Sequence, residues 1–339
     1  ELRSRKGIET LVILLGILKY GEIFGDQQAL KSTEKYWEQL TNGQIRNTGN
    51  GTVEELWTEG GNAAMLLGAD EKPNENCVAV GYIELSLALF YKNQSAKYLD
   101  AIDKSLYNHI LSAISPDGTD FAYYQPNYGK KVRATESGSY KCCRYRGITL
   151  FTYMEDMLYY ENENCIIPMI YASSMYESGN IKIAQETNYP YDGSVKISAD
   201  VLGEREMLIK LRVPQGYSAQ LRVNGKETEA KVESGYITVC LEKKSHTDIE
   251  LTLETAVRAQ SGIIDGKEYA SFEYGTVLLA MIDYDGETLI DKSFTPLKTD
   301  KKFGGALTFK AKGIKNGESV DIFLTDNASA DNYAVWIPA

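Results

Sequence analysis

Two adjacent cysteines, Cys142 and Cys143, and a third in the step Glu75-Asn76-Cys77 are the residues most able to do chemistry. Three thiols and a carboxylate form a ligand set suited to tetrahedral zinc. Cys77 falls where a helix is expected to begin, and the dipole and free N–H groups of a helix start favour a thiolate. Zinc would hold every thiol of the set deprotonated. The cluster can be read as a structural staple, a redox pair or the seat of catalysis. A structural Cys3Glu site is the main competitor of a catalytic one, because four-coordinate zinc without water is usually structural. A disulfide between Cys142 and Cys143 would close a strained eight-membered ring, which ranks a thiol–disulfide oxidoreductase third.

Around the cluster lie further groups of interest. Glu54, Glu55 and Glu59 sit in a Gly-, Asn- and Thr-rich stretch between 44 and 75, expected to be a long irregular loop, a kind that is usually functional or disordered. Cys165 and Cys240 fall in strand patterns and are expected in the core. His109 is expected to be structural within a helix, and His246 to lie away from the motifs.

The elements that must position these residues change character along the chain. Helices are expected over Ile8–Ile23, from an Asp26 cap to about Leu40, over Val78–Tyr91, from a Ser95 cap to about Ile114, and over Gly147–Tyr160. Phe121–Tyr124 reads as a short strand. Beyond Asn162 the period falls from 3.6 to 2, with Ile166–Met175 as the first of many strands and Asn224-Gly225 as a tight hairpin turn. The helices alternate outer and inner character, as paired helices in a toroid do. The expected fold is therefore multidomain, α then β: a partial (α/α)6-type toroid followed by antiparallel β-sandwich domains. The expected division is 1–162 helical and catalytic, 163–258 a β-sandwich, and 259–339 a second sandwich region.

Composition narrows the function. The 339 residues are 43% hydrophobic and 24% charged, which suits globular domains with a core. A formal charge of −11 argues against nucleic acid and anionic membranes as partners. The longest early apolar run, Leu11–Leu18, is too short to span a bilayer. No N-terminal signal is visible, which leaves a bacterial-type soluble protein of the cytoplasm or periplasm as the expectation. Five cysteines speak against a fully paired secreted framework. Tyrosines number 24, against 9 Phe and 3 Trp, and suit sugar contacts as well as plain sandwiches.

Several segments together carry a family resemblance. Glu75-Asn-Cys-Val-Ala-Val-Gly81 resembles the Glu-x-Cys helix entry of the β-L-arabinofuranosidases of glycoside hydrolase family 127 and its relatives. The helix Ser95–His109 with its Leu106-Tyr-Asn108, the turn Ser115-Pro-Asp-Gly118 and the step Tyr123-Tyr-Gln-Pro126 are similar to the segments that follow. Lys141-Cys-Cys-Arg-Tyr-Arg-Gly147 resembles the double-cysteine motif, and Gln185–Gly193 the first sandwich segment. The resemblance runs from about Lys6 to Val257, and its order of motifs is more specific than any one of them.

It implies a retaining glycosidase with zinc held by Glu75, Cys77, Cys142 and Cys143, and with Cys142 as nucleophile. A glutamate in a Gly-Glu-x-Phe-like step would be the acid/base. Glu55 fits that register best, with Glu54 and Glu59 as alternatives. Tyr123 is the candidate for substrate contact. A carbohydrate is the implied substrate, β-L-arabinofuranose or a similar sugar the implied product. A non-catalytic carbohydrate-binding or scaffold protein with a structural zinc is the alternative. Family enzymes are considerably longer and have an N-terminal half-toroid, so a partner chain or second copy completing the toroid is a further expectation. Arg144-Tyr145-Arg146 departs from the smaller residues the family usually carries there.

Overall fold

The computed structural model describes residues 5–58, 66, 68, 70–115, 117–131, 142–264, 266–300 and 306–339. The chain forms two compact units. One comprises Glu1–Leu89, Ala101–Phe151 and Val257–Ala339; the other comprises Phe90–Asp100 and Thr152–Ala256.

In the first unit, α1 (Gly7–Phe24) buries Leu11, Leu14 and Leu18 at helical spacing and stops at Gly25, whose φ of 67° suits glycine. Asp26 then caps α2 (Gln27–Gly43), accepting from the amides of Gln28 at 2.9 Å and Ala29 at 3.1 Å. Trp37 of α2 stacks on Tyr82 of α3 (Asn76–Asn93) and donates to Ser86 Oγ at 2.9 Å. The next helix, α4 (Ala96–Ser105), belongs to this unit from Ala101 and continues through a π-helical turn, Leu106–Ile110, into α5 (Leu111–Ala113). With α6 (Cys142–Thr152) these make the partial toroid expected from the sequence.

The described part of the stretch after α2 is the irregular loop expected, but a closely packed one. It buries Arg46, Asn47, Thr48, Asn50 and Thr52 and forms a hairpin of β1 (Thr52–Val53) and β2 (Leu56–Trp57). Its glycines serve close approach: a Cβ on Gly51 would lie 2.0 Å from the Gln44 carbonyl oxygen. Asn50 replaces regular pairing with side-chain bonds, accepting from Gly51 N–H at 2.7 Å and donating to the Glu75 carbonyl at 2.7 Å. Phe121–Tyr124 is no strand but two isolated bridges, Phe121 to Ile114 and Tyr124 to Glu75.

Val257–Ala339 packs within this same unit. Its sheet runs in the order Val257–Ile264, Lys267–Tyr274, Val277–Ile282, Glu318–Asp326, Thr308–Lys315 and Leu289–Ile290. Buried asparagines tie it to the helices. Asn108 donates to the Thr276 carbonyl at 2.9 Å and accepts from Leu278 N–H at 2.8 Å, and Asn327 donates to the Asn108 carbonyl at 2.9 Å. Each satisfies backbone groups that would otherwise be desolvated without a partner.

In the second unit a six-stranded sheet and a four-stranded sheet carry the sandwich. His246–Glu254 shows the alternation that drives it, with Thr247, Ile249, Leu251 and Leu253 inside. One pair is parallel, Cys165–Pro168 beside Met207–Arg212. Asn224 and Gly225 make the expected tight turn, with φ of 50° and 73°. The expected strand Ile166–Met175 is two, Cys165–Pro168 and Ser174–Glu177, in different sheets. Cys165 is buried as expected, but Cys240 is exposed, because Leu241 takes the inward position.

The helix expected at Gly147–Tyr160 instead covers Cys142–Thr152, so the cysteine pair opens the helix rather than preceding it. Tyr159–Glu161 leaves the helical pattern to pair with Ile166–Pro168. Gly147 lies inside α6 because the helix seats on the Phe121 ring: a Cβ there would come within 2.7 Å of Phe121 Cδ1 and 3.0 Å of Asn76 Nδ2. Helix propensity alone favours Gly147→Ala by about 1 kcal/mol. Overpacking of about 1–3 kcal/mol should outweigh it. The expected outcome in urea denaturation is a lower midpoint for the variant; a raised midpoint would refute this seating.

Candidate active site

The starts of α3 and α6 bring the four ligand candidates together. One ligand atom from each of Glu75, Cys77, Cys142 and Cys143 lies within 4.8 Å of the others, a group that could hold a metal ion. Glu75, Cys77 and Cys143 are buried and Cys142 is exposed. Cys143 Sγ sits 3.2 Å from Cys77 Sγ, 3.7 Å from Glu75 Oε1, and accepts from Cys77 N–H at 3.3 Å. Asn76 donates to the Cys143 carbonyl at 3.1 Å. Glu75 is fixed at its backbone by Asn50 and by its own N–H donating to Thr52 Oγ1 at 3.3 Å.

The electrostatics of this donor set suit a cation. Burial, reinforced by the Glu55 charge, pushes the Glu75 carboxyl up to about 7 against the hydrogen bonds of Cys143 and Cys77. Burial also pushes the Cys142 and Cys143 thiols up. Among the described residues, the buried Glu75 Oε2 has no hydrogen-bond partner. A lone pair so placed, among three sulfurs, is costly unless a proton or a metal ion occupies it.

Glu55 approaches from the β1–β2 turn. Glu54 and Glu55 form its two central residues with φ of 47° and 70°, the conformation in which Asn-Gly is usual. Left-handed backbone at non-glycine residues costs about 1–3 kcal/mol each. Neighbouring backbone holds it: Gly7 N–H donates to the Glu55 carbonyl at 2.7 Å, and Glu54 N–H donates to the Lys72 carbonyl at 3.1 Å. The Glu55 carboxylate receives Tyr123 OH at 2.7 Å, Tyr124 OH at 3.2 Å and Lys6 Nζ at 2.7 Å. Burial raises its pKa, but the Lys6 and tyrosine bonds and the Lys6 charge outweigh that and lower it. Tyr123 OH also lies 3.7 Å from Cys142 Sγ, so one hydroxyl separates sulfur from carboxylate.

The structure thus joins Glu55, Tyr123 and the four ligand candidates. Glu54 is exposed, and Glu59 lies outside the described residues. His109 is buried, neither ring nitrogen has a partner among the described residues, and burial lowers its pKa to about 3, which keeps it neutral. His246 is exposed between Asp200 and Asp248. Sequence reasoning missed Lys6 and Tyr124. Lys6 sits in a basic run that reads as solvated surface. Tyr124 reads as pointing away from Tyr123 by strand alternation, yet the two rings are 4.4 Å apart.

A family model described as the β-L-arabinofuranosidase GH127 catalytic domain matches residues 4–156, and the GH127 middle-domain model matches 166–255. The chain belongs to glycoside hydrolase family 127. A curated relative, the non-reducing end β-L-arabinofuranosidase of Bifidobacterium longum subsp. longum, is 21% identical over 272 residues. The match takes in 72% of this chain and 40% of that protein. A solved GH127 β-arabinofuranosidase superposes with a TM-score of 0.84 at 20% identity, over 99% of this chain and 60% of its own. A GH127 β-L-arabinofuranosidase from Geobacillus stearothermophilus T6 gives 0.81 at 15% identity, over 99% and 61%. The chain therefore spans well under two thirds of the length of these relatives. Among the described residues, no helix is long and apolar enough to cross a membrane.

The Lys6–Glu55 pair has a defined pH window. Glu55 is lowered in the folded state and Lys6 is raised. Their contribution to stability is full above the unfolded carboxylate pKa and below the unfolded lysine pKa, and is lost as pH falls through the folded Glu55 value. Lys6→Met should therefore unfold at lower urea than wild type at pH 7, with the gap closing at acid pH. A gap unchanged between pH 7 and pH 3 would show that the charge pair is not its source.

Proposed function

We propose that this chain carries the catalytic centre of a zinc-dependent retaining glycoside hydrolase that releases β-L-arabinofuranose or a similar sugar from glycans. The observation that carries the reading is the exposed Cys142 sulfur, one hydroxyl away from the Glu55 carboxylate and seated in the buried Glu75/Cys77/Cys143 set. The activity of the relatives suggests the sugar. The division of the chain at about 162 and 258 into catalytic, sandwich and C-terminal regions belongs to the same proposal.

Glu75, Cys77, Cys142 and Cys143 would hold the metal, and the orphaned Glu75 Oε2 fits that role. Bound zinc would lower the thiol pKa values and so keep a sulfur nucleophile available at neutral pH.

The chain's own groups then divide the work. Cys142 Sγ forms a bond to the anomeric carbon as the carbon–oxygen bond to the leaving group breaks, and Glu55 gives its proton to the departing oxygen. The Lys6 and tyrosine contacts favour the carboxylate that this transfer leaves, which makes protonated Glu55 a stronger acid. In the second step water attacks the same carbon, Glu55 takes its proton, and the carbon–sulfur bond breaks. Two inversions give retention. Tyr123, between the two groups, is placed to meet the sugar at the reacting centre.

The burial of three of the four ligand candidates favours one other reading, a carbohydrate-binding protein with a structural Cys3Glu zinc. The decisive assay uses an aryl β-L-arabinofuranoside. Cys142→Ala should lose roughly 10³-fold or more of the rate. Glu55→Gln should lose about 10²–10⁴-fold, with azide restoring turnover of an activated substrate. Undiminished turnover by Cys142→Ala would exclude it as nucleophile, and zinc-loaded wild type that binds glycans without hydrolysis would select the other reading. Elemental analysis supplies a separate check: about one zinc per wild-type chain, lost in Cys77→Ser and Glu75→Ala.

A further inference from the structure

The first turn of α6 presents an aromatic ring that the fold does not use. Tyr145 is 61% exposed. Among the described residues its ring and hydroxyl make no hydrogen bond, ion pair or ring contact. Its two neighbours are drawn off to other partners: Arg144 Nε pairs with Asp120 at 3.1 Å, and Arg146 pairs with Glu84. A side chain this exposed and unengaged adds little to folding stability.

Its position gives it another use. Cys142 and Tyr145 are three residues apart on one helix, so they are neighbours on the same face. Long helical side chains lean back over the turn that precedes them. By this geometry the Tyr145 ring would lie on the Cys142 side of its own backbone position. We propose that Tyr145 is a stacking residue for the sugar ring transferred to Cys142, a proposal that rests on the glycosidase reading above.

The chemistry suits the part. A sugar ring offers a face of C–H bonds to an aromatic ring while its edge hydroxyls keep their hydrogen bonds. Tyrosine has few rotatable bonds, so ordering it on binding costs little entropy. In-line attack fixes which sugar it meets: the leaving oxygen departs away from Cys142, on the Glu55 side, so a ring beside the sulfur faces the sugar that stays.

Three probes test this: an aryl β-L-arabinofuranoside, an arabinofuranosyl disaccharide, and free L-arabinose as inhibitor. Tyr145→Ala should raise KM for both substrates and Ki for the free sugar by about three- to tenfold, with kcat changed less. Tyr145→Phe should restore all three constants, since the ring rather than the hydroxyl is used. Constants unchanged in Tyr145→Ala would overturn the proposal, and so would a rise in KM confined to the disaccharide, which would place the ring at the leaving group. If wild type hydrolyses neither substrate, the glycosidase reading fails by itself. Saturation-transfer NMR with L-arabinose then still decides: a ring-proton signal in wild type that is lost in Tyr145→Ala and regained in Tyr145→Phe supports stacking, and no signal in wild type overturns it.

Discussion

The Cys143 sulfur accepts the amide of Cys77, and through that contact two helix starts far apart in sequence are held against each other. The site can exist only where α3 and α6 both begin. Asn76 reinforces the junction by donating to the Cys143 carbonyl, and Gly147 lets α6 lie close enough on Phe121 for that bond to form. The helix starts also supply the unpaired amides and dipole ends that suit anionic sulfur. Packing and ligand chemistry are therefore one requirement here: anything that parts the two helix starts also disperses the donor set.

Desolvation follows from the same junction. Closing the helix starts buries Glu75 and leaves one of its oxygens without a partner among the described residues. Glu55, on the more exposed side, is treated in the opposite way, with Lys6 and two tyrosines favouring its charge. Two carboxylates near one another thus have pKa values displaced in opposite directions by their surroundings.

The parts of this arrangement that were legible in the sequence share a physical trait: they are local. The Asp26 cap, the Asn224-Gly225 turn, the α-then-β change of period and the Glu-x-Cys and Cys-Cys steps each declare themselves within a few residues. What was not legible depends on distant partners. The 44–58 stretch reads as loop because its order comes from Asn50 side-chain bonds and from glycines fitted against Gln44, neither of which leaves a periodic trace. Tyr159–Glu161 reads as helix until Ile166–Pro168 claims it as a strand. Cys240 reads as core because a short strand with two apolar edges does not reveal which parity faces in. Lys6 reads as surface charge, and only the fold brings it to Glu55.

The turn that carries Glu55 has a consequence for how such a protein can change over time. Glutamates at both left-handed positions are a poor match to the backbone, and an Asn-Gly pair would relax it. The fold would then be sturdier and the carboxylate gone. Selection for stability alone would pull this turn away from its present residues, because Glu54-Glu55 runs against the folding preference of its own backbone. Any lineage that stops needing the carboxylate has a downhill path to losing it here first.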